Sequence, residues 1–461
     1  MAKPSIPQGT RDFSAETIRK RNFILNNIRS VFELYGFQPL ETPAMENLDT
    51  LMGKYGEEGD KLIFKILNNG LNDPKNKDKA ISGFEKLLEG KNTAELTERA
   101  LKYDLTIPFA RYVAMNHGQL TFPYKRYQIQ PVWRADRPQK GRYREFTQCD
   151  ADVVGSTALL NEVELCNIYH TAFVNMGLKE YELKINSRKI LAALSEICGG
   201  ADKMTAITIA IDKLDKIGIN KVKEELGQRG LNEMQINTIE TYLNISGNNE
   251  EKIAVAEKLF SGNETAVKGM EEIRYVTTHA SNTNISIDFT LARGLNYYTG
   301  IIFEVKGPDT VKMGSIGGGG RYDDLTGLFG VPNIPGVGIS FGVDRIYDVL
   351  EELNLFPESL QTSTKALFFN LGKEESLFGF EQMQQFRSAG IACELYHEPA
   401  KMDKQFKYAE KKFIPFVIII GTQEINNEEA VVKNLGTGEQ QKIPLHSLAA
   451  FFQKLAATSK A

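Results

Sequence analysis

An alternating run of side chains at residues 144–152 constrains the fold of this chain more than any other feature. The even positions of the run are Arg144, Phe146, Gln148, Asp150 and Asp152. Successive side chains of a β-strand point to opposite faces, so a strand here places all five on one face. Because buried charges need partners, such a face is costly as simple core packing. The pattern therefore predicts a strand whose polar face lines a ligand site.

Residues 127–134 predict the second arm of a long hairpin, with residues 136–141 as its basic loop. Five arginine or lysine residues lie between positions 134 and 144. The hairpin would hold Arg134 over one end of a pocket and Gln148 and Asp152 at the other. Cations beside a polar face indicate a site for phosphate and a small polar ligand. A charged surface hairpin is the alternative, since charge runs usually mark solvated faces.

Composition excludes several classes of protein. The 461 residues are enough for roughly three domains of about 150 residues, and the net charge of -4 gives no overall nucleic-acid signature. The four cysteines are widely spaced, which indicates reduced thiols and no zinc site. The N-terminus lacks the apolar core of a signal peptide, and there is no uninterrupted run of about 18 apolar residues. We expect a cytoplasmic protein without a membrane span or a structural metal.

Periodicity divides the chain into segments. An amphipathic helix with apolar residues at 24, 28, 31 and 35 is followed by a strand at 37–43, and a Lys-, Asn- and Glu-rich exposed insertion covers about 68–97. Residues 187–283 predict an inserted helical domain between two parts of a core, 1–186 and 284–350. After a linker at 351–364, strands and helices alternate in 365–461, which predicts a small α/β domain.

Three further segments carry residues suited to ligand binding. Asp104 and Thr106 would share a face of an extended chain and could hold an ammonium group, although Asp-x-Thr before proline is more often a turn or cap. The glycine-rich segment 315–325 predicts a turn that allows close ligand approach. In 335–346 small residues alternate with apolar ones, so a strand with one bare face leads into a helix that carries Arg345 near its positive end.

These segments together resemble the class II aminoacyl-tRNA synthetases, and specifically the histidyl-tRNA synthetase family. Residues 137–144, Arg-Pro-Gln-Lys-Gly-Arg-Tyr-Arg, resemble the loop of the family's motif 2. The first helix and strand are similar to motif 1, and residues 335–346 to motif 3. Residues 293–300, Arg-Gly-Leu-Asn-Tyr-Tyr-Thr-Gly, and 319–323, Gly-Gly-Arg-Tyr-Asp, resemble two histidine-specific motifs. Nucleotide-binding signatures of other families, such as the Gly-x-x-x-x-Gly-Lys-Ser/Thr loop, are absent from the sequence.

The resemblance implies a role for each matching residue. Arg293 and Arg134 would be the catalytic arginines, with Arg293 beside the reacting carboxylate and α-phosphate. The residues implied to bind histidine are Asp104, Thr106, Gln148, Asp152, Tyr298 and Tyr322. Those implied to bind ATP are Arg134, Arg142, Phe146 and Arg345, and those implied to contact tRNA are Arg137 and Gln139. The family usually has an acidic residue where this chain has Asn296, which puts the support of Arg293 in doubt.

The resemblance also implies a fold and a reaction. We expect an α+β core with an antiparallel sheet flanked by helices, a helical insertion and a C-terminal α/β anticodon-binding domain. The reaction would join L-histidine to ATP, taken with Mg²⁺, and transfer the histidine to histidine tRNA, in a homodimer. The alternative is a non-catalytic paralogue, either a regulatory subunit of ATP phosphoribosyltransferase or a sensor of uncharged tRNA. Such paralogues typically lose motif arginines, whereas Arg134, Arg293 and Arg345 are all present.

Overall fold

The computed structural model describes residues 3–280, 283–292 and 297–458, apart from the side chains of residues 56–58 and 456–458. Two compact units emerge from the contacts within the chain. One comprises Met1–Phe13 and Arg21–Leu355, and the other Ser14–Lys20 and Phe356–Ala461. Among the helices of the described residues, none has both the length and the apolar character needed to cross a bilayer.

Two sheets form the frame of the first unit. Its strands are β1 (Gln38–Pro39), β2 (Met45–Asn47), β3 (Lys65–Ile66), β4 (Arg99–Leu101), β5 (Tyr124–Trp133), β6 (Glu145–Val154), β7 (Glu182–Ser187), β8 (Ile285–Ile287), β9 (Ile301–Lys306), β10 (Gly317–Tyr322) and β11 (Gly336–Gly342). Eight of them form a large sheet in the order β1-β5-β6-β11-β10-β9-β7-β8, and β2-β4-β3 form a small one. The large sheet is antiparallel except at its ends, where β1 pairs with β5 and β8 with β7 in parallel. The expected core sheet is thus present. Its parallel edge strands were not predicted from the sequence.

The helices of the described residues up to residue 352 lie in the first unit, except that the first helix begins in the second unit and continues into the first. They are α1 (Ala15–Leu34), α2 (Leu48–Leu51), α3 (Gly56–Lys61), α4 (Lys77–Leu88), α5 (Thr106–Asn116), α6 (Leu160–Asn175), α7 (Arg188–Ile197), α8 (Met204–Asp212), α9 (Leu214–Gln228), α10 (Glu233–Leu243), α11 (Asn249–Leu259), α12 (Glu264–His279) and α13 (Val343–Glu352). Ile24, Ile28 and Val31 of α1 are buried, as their spacing predicts. The chain leaves α1 at Gly36, whose φ of +80° is easily adopted only by glycine. Helix α9 is broken at Gly218, where the backbone leaves the helical region.

The predicted hairpin is formed by β5 and β6, which pair antiparallel over ten residues each. Their register sets Gln128 opposite Asp150 and Gln130 opposite Gln148. Because directly opposed residues point to the same face, the polar face of β6 continues across β5. At the hairpin tip, Gln139 and Arg142 exchange backbone hydrogen bonds of 3.1 and 2.9 Å. The long polar strand that the sequence predicted is therefore one half of a wider polar surface.

The glycine run is a strand and not the turn that we expected. Residues 317–320 pair with β9 on one side and with β11 on the other. The lack of side chains lets the strands approach closely: a Cβ added to Gly319 would lie 2.1 Å from the carbonyl oxygen of Gly338. Turn propensity is a local property, whereas the pairing on both sides depends on distant parts of the chain.

The second unit contains a five-stranded sheet with helices. Its elements are β12 (Ala366–Phe368), α14 (Lys373–Ser388), β13 (Cys393–Leu395), α15 (Met402–Lys411), β14 (Phe416–Ile419), α16 (Thr422–Asn426), β15 (Glu429–Asn434), β16 (Gln440–Pro444) and α17 (Leu445–Thr458). The strand order is β13-β12-β14-β15-β16, with parallel pairing among the first three strands and antiparallel pairing after β14. The predicted α/β alternation is confirmed through β14. The final antiparallel strands and α17 were not predicted.

Candidate active site

Two adjoining cavities lie against the polar face of β6, one of about 550 Å³ and one of about 60 Å³. Arg134, Gln148 and Tyr298 line both of them. Phe146 lines only the larger cavity, while Asp150 and Asp152 line only the smaller one. The alternation thus places Phe146, Gln148, Asp150 and Asp152 along one continuous cavity surface, as predicted. The prediction is wrong for Arg144, which precedes β6, donates to backbone carbonyls of Asp136 and Gln8 and lines neither cavity.

Cations and an aromatic ring dominate one side of the larger cavity. The guanidinium carbon of Arg134 lies 4.2 Å from the ring centre of Tyr103 and 5.2 Å from that of Phe146. Its Nε donates to the carbonyl oxygen of Tyr103 at 3.0 Å. These contacts hold the guanidinium in one orientation, and a fixed guanidinium can bind phosphate oxygens without changing its protonation.

Arg345 and Arg142 add positive charge to the same cavity. The Nε of Arg345 donates to the carbonyl oxygen of Gly141 at 3.0 Å, and one terminal nitrogen donates to that of Ser315 at 2.7 Å. Arg142 is half exposed and lies 3.1 Å from a carboxylate oxygen of Asp136. Arg345 is thus braced by backbone carbonyls, whereas Arg142 can exchange its exposed ion pair for an anionic ligand.

The smaller cavity carries an acidic cluster. Asp152 accepts a hydrogen bond of 2.5 Å from the hydroxyl of Tyr322 at one carboxylate oxygen, and its other oxygen lies 2.8 Å from the buried guanidinium of Arg126. Burial raises the pKa of Asp152, and the charge of Arg126 opposes that rise. Asp152 is consequently a fixed acceptor at the inner end of the cavity.

Asp104 and Thr106 meet in the same cavity but not in the expected conformation. The prediction of an extended chain at 104–106 is wrong, since Thr106 is the first residue of α5. One carboxylate oxygen of Asp104 accepts from the hydroxyl of Tyr55 at 2.9 Å and from the backbone N–H of Ile107 at 3.2 Å. Its other oxygen has no hydrogen-bond partner among the described residues. Asp104 therefore caps the helix start and also has an acceptor available for a cationic ligand.

The bare face of β11 leaves space for the carboxylates of the acidic cluster. A Cβ added to Gly338 would lie 2.0 Å from a carboxylate oxygen of Asp152. On β10, a Cβ added to Gly320 would lie 2.9 Å from the ring of Tyr298. The apolar residues of β11 that alternate with the glycines, Val337, Ile339 and Phe341, are buried. The predicted division of this strand into one bare and one apolar face is confirmed.

Three residues at the two cavities were not singled out from the sequence, namely Arg126, Tyr297 and Glu304, and Asp150 was placed on the polar face without a role of its own. Asp150 and Tyr297 line the smaller cavity and Glu304 the larger one, while Arg126 lies behind them and is fully buried. Arg126, Gln128 and Gln130 are successive even positions of β5, so a polar alternation like that of β6 was also present there. Glu304 sits within an apolar strand, and no local pattern distinguishes it.

The remaining predicted residues lie elsewhere. Arg293 and Asn296 are outside the described residues. Arg137 and Gln139 are exposed in the hairpin loop and line neither cavity. Within the part of the chain that the structure describes, no group of three or more His, Cys, Asp or Glu side chains is arranged to bind a metal.

The two cavities suit ligands of opposite character. Arginines around a 550 Å³ cavity can bind a polyanion, and Phe146 offers a ring on which a planar base can stack. Three carboxylates around a 60 Å³ cavity can bind a small molecule with several N–H donors. Since the cavities share walls, the two ligands would react where Arg134 borders both.

Comparison with known protein families gives two matches along the chain. A model described as histidyl-tRNA synthetase matches residues 87–346, which include every described residue that lines the two cavities. A model described as anticodon binding domain matches residues 374–455 of the second unit.

Curated relatives match over nearly the whole length. Histidine–tRNA ligase of Flavobacterium johnsoniae is 52% identical, with 97% of this chain and 98% of the relative covered. The enzyme of the same name from Bacteroides fragilis is 53% identical, again over 97% and 98%.

Solved structures agree in fold. Histidyl-tRNA synthetase from Nostoc sp. PCC 7120 superposes with a TM-score of 0.82 at 31% identity, covering 98% of this chain and all of that one. A protein from Bacillus halodurans C described as an ATP phosphoribosyltransferase regulatory subunit/histidyl-tRNA synthetase has a TM-score of 0.71 at 20% identity, over 88% of this chain and 97% of that one. The second likeness concerns the fold alone.

Proposed function

The chain belongs to the histidyl-tRNA synthetase family, and on that premise we propose how its residues divide the work of the reaction. Its activity is that of a histidine–tRNA ligase. L-Histidine and ATP form histidyl-adenylate and pyrophosphate, and the histidine is then transferred to the 3′-terminal adenosine of histidine tRNA. Full-length relatives about half identical to this chain favour this activity over a regulatory or sensor role.

Histidine occupies the smaller cavity. The observation that carries this assignment is the acidic cluster, because α-ammonium and imidazole groups are both N–H donors. Asp104 and Thr106 hold the ammonium group, while Asp152, Tyr298, Gln148 and Tyr322 surround the imidazole. A side chain without ring N–H groups would leave buried carboxylates unpaired, which rejects analogues by about 10⁴-fold.

ATP occupies the larger cavity with its α-phosphate toward the shared wall. Phe146 stacks on the adenine, and Arg142 and Arg345 bind the outer phosphates. The histidine carboxylate attacks the α-phosphorus, and Arg134 and Arg293 stabilise the charge that builds on the phosphoryl oxygens. A carboxylate is already a nucleophile, so the reaction needs no general base and depends on position and charge.

ATP enters together with Mg²⁺, which neutralises phosphate charge. Glu304 lines the larger cavity, and its side chain has no hydrogen bond or ion pair to another described residue. A carboxylate in that position fits a hard cation carried by the phosphates. We infer that the Glu304 carboxylate would hold the Mg²⁺ that enters with ATP.

The remaining parts serve tRNA and assembly. Arg137 and Gln139, exposed in the hairpin loop, contact the acceptor end of the tRNA. The helical insertion of 187–283 reaches toward the acceptor stem, and the domain of 365–461 binds the anticodon. The helix α1 and strand β1, which resemble motif 1, form the interface of a cytoplasmic homodimer.

Two substitutions test the assigned roles. Asp152→Ala should chiefly raise the Michaelis constant for histidine, because it removes a substrate contact present before the reaction. Arg293→Ala should chiefly lower the turnover number, because that contact strengthens as charge develops. Both are measured by histidine-dependent ATP–pyrophosphate exchange, with Asp309→Ala, an exposed aspartate outside the cavities, as control. Near-wild-type kinetics in both variants would defeat the assignment.

A further inference from the structure

Asp150 is an acidic residue of the smaller cavity to which no role has been given. It is 3% exposed and lines that cavity beside Asp152. Its Oδ1 atom is buried and has no hydrogen-bond partner among the described residues. A buried carboxylate oxygen without a partner is costly, and such atoms are expected to meet a donor when a ligand binds.

Asp152 is less available than Asp150 to a second donor. Both of its oxygens already have partners, the Tyr322 hydroxyl at 2.5 Å and the Arg126 guanidinium at 2.8 Å. The oxygens in this cavity that lack a partner among the described residues belong instead to Asp104, Gln148, Asp150 and Tyr297. Because Asp104 is assigned to the ammonium group, Asp150 is the remaining carboxylate with an oxygen available to the imidazole.

The charges around Asp150 do not balance. The groups that face it are Arg126 and Gln128 of β5, Asp152 of β6, Ser340 of β11, Lys102 after β4, Asp104 before α5, Tyr169 of α6 and Tyr298. Arg126 is the nearest guanidinium and is already paired with Asp152. Lys102 is directed elsewhere, since its Nζ donates to Thr42 and Gln130. The carboxylates of Asp150 and Asp104 thus have no cation paired with them among these groups, and the excess of negative charge in a buried site favours uptake of a proton.

We propose that the Asp150 carboxyl group forms a hydrogen bond with a ring nitrogen of the bound imidazole, and that the carboxyl group and the ring together hold one titratable proton. The proposal rests on the assignment of histidine to this cavity. The proton sits on the carboxyl group facing a ring nitrogen, or on the ring facing a carboxylate. In both cases the pair carries one titratable proton. Two protonated groups would carry two, and two deprotonated groups would carry none.

Two properties of the separate groups support the sharing of a proton. Burial raises the pKa of Asp150 to about 7, with Arg126 opposing and Asp152 adding to the rise. A free imidazole side chain has a pKa of about 6.5. Because the two values are close, neither group takes the proton outright when they meet in a buried site.

Histidine affinity should fall both above and below a pH optimum. Above pH 7 both free partners have lost their protons, so binding requires the uptake of one proton and weakens as pH rises. Below pH 6 both free partners are protonated, so one proton must leave and binding weakens as pH falls. Affinity is then greatest between these limits. In Asp150→Asn the loss at alkaline pH should disappear, while the loss at acid pH remains because it comes from the substrate.

Calorimetry of histidine binding to the full chain at pH 8, in two buffers of different ionisation enthalpy, measures proton uptake directly. We expect uptake of about one proton by the wild type and by the control Asp309→Asn, and almost none by Asp150→Asn. In pyrophosphate exchange, the ratio of the histidine Michaelis constants of variant and wild type should fall about tenfold between pH 8 and pH 9. Using this ratio removes the titration of the substrate amino group, which is common to both.

The wild-type measurement alone can refute the proposal, even if Asp150→Asn does not fold. Histidine binding at pH 8 without proton uptake would overturn it, as would equal uptake by wild type and folded variant. Absence of any histidine binding or exchange is a different result, because it would contradict the proposed function itself.

Discussion

Replacing Gly338 with alanine tests how the bare face of β11 creates the histidine pocket. The new Cβ would lie 2.0 Å from a carboxylate oxygen of Asp152, where ordinary contact begins at 3.4 Å. The new Cβ would also lie close to the backbone, 3.1 Å from the carbonyl oxygen of Ala151. Asp152 must therefore move, and the 2.5 Å hydrogen bond from Tyr322 and the 2.8 Å ion pair with Arg126 limit how far it can go.

A displacement that relieves this clash stretches the Tyr322 hydrogen bond beyond about 3.5 Å, where it is lost, or weakens the ion pair with Arg126. A hydrogen bond to a charged group contributes about 1.5–3 kcal/mol. If this free energy is lost from the pocket in its binding conformation, histidine affinity falls about tenfold to a hundredfold. The ATP Michaelis constant should stay unchanged, because Gly338 lines only the smaller cavity.

The assay is pyrophosphate exchange with histidine and ATP varied in turn, supported by calorimetric binding of histidine. Gly307→Ala is the matched control, since its Cβ would meet only side-chain atoms of Val349 at 3.5 and 3.7 Å. An unchanged histidine Michaelis constant in folded Gly338→Ala would refute the reasoning. An equal rise in the constants for histidine and ATP would show a general disturbance of the sheet instead.

Three other substitutions probe separate parts of the account. Arg345→Ala should raise the ATP Michaelis constant about tenfold or more and leave that for histidine unchanged, as measured by exchange; an effect confined to histidine would contradict the phosphate role. Arg137→Ala should impair tRNA charging while leaving tRNA-independent exchange intact, and equal loss in both assays would exclude a tRNA contact. Arg321→Met should reduce the free energy of unfolding by about 3–5 kcal/mol, because it leaves Glu162 buried without its bidentate partner. An unchanged denaturant midpoint would contradict this last prediction.

The elements that sequence predicted well have a strong periodic pattern with one buried face. In β11 the alternation of glycine or serine with valine, isoleucine and phenylalanine predicted both the strand and its orientation. Helix α13 followed from the buried residues Ile346, Val349 and Leu350. In these segments local preference and the final packing agree, so the pattern alone was sufficient.

Other elements depend on contacts between distant segments. The glycine run became β10 because strands on both sides pair with it, although glycine itself disfavours strands. Thr106 begins a helix whose preceding carboxylate, Asp104, receives the Ile107 N–H. This was the cap that the sequence analysis had considered as the alternative.

The residues of the candidate site also divide into those that a local pattern predicts and those whose position depends on distant contacts. Residues on the alternating face of β6 were found because a strand period groups them. Arg126 was missed because its importance comes from its register opposite Asp152, which depends on how β5 and β6 align. Glu304 was missed because a single acidic residue in an apolar strand gains a role only when the strand is placed beside Arg134 and Arg345.

Amino-acid-dependent ATP–pyrophosphate exchange, measured with each of the twenty amino acids in Mg²⁺ and without tRNA, shows whether the smaller cavity selects histidine for adenylation. We expect exchange with histidine alone, since the acidic cavity selects a small ligand with both ammonium and imidazole N–H groups. Exchange with another amino acid would contradict the assignment of the smaller cavity. No exchange with any amino acid from folded protein would contradict the adenylation chemistry itself.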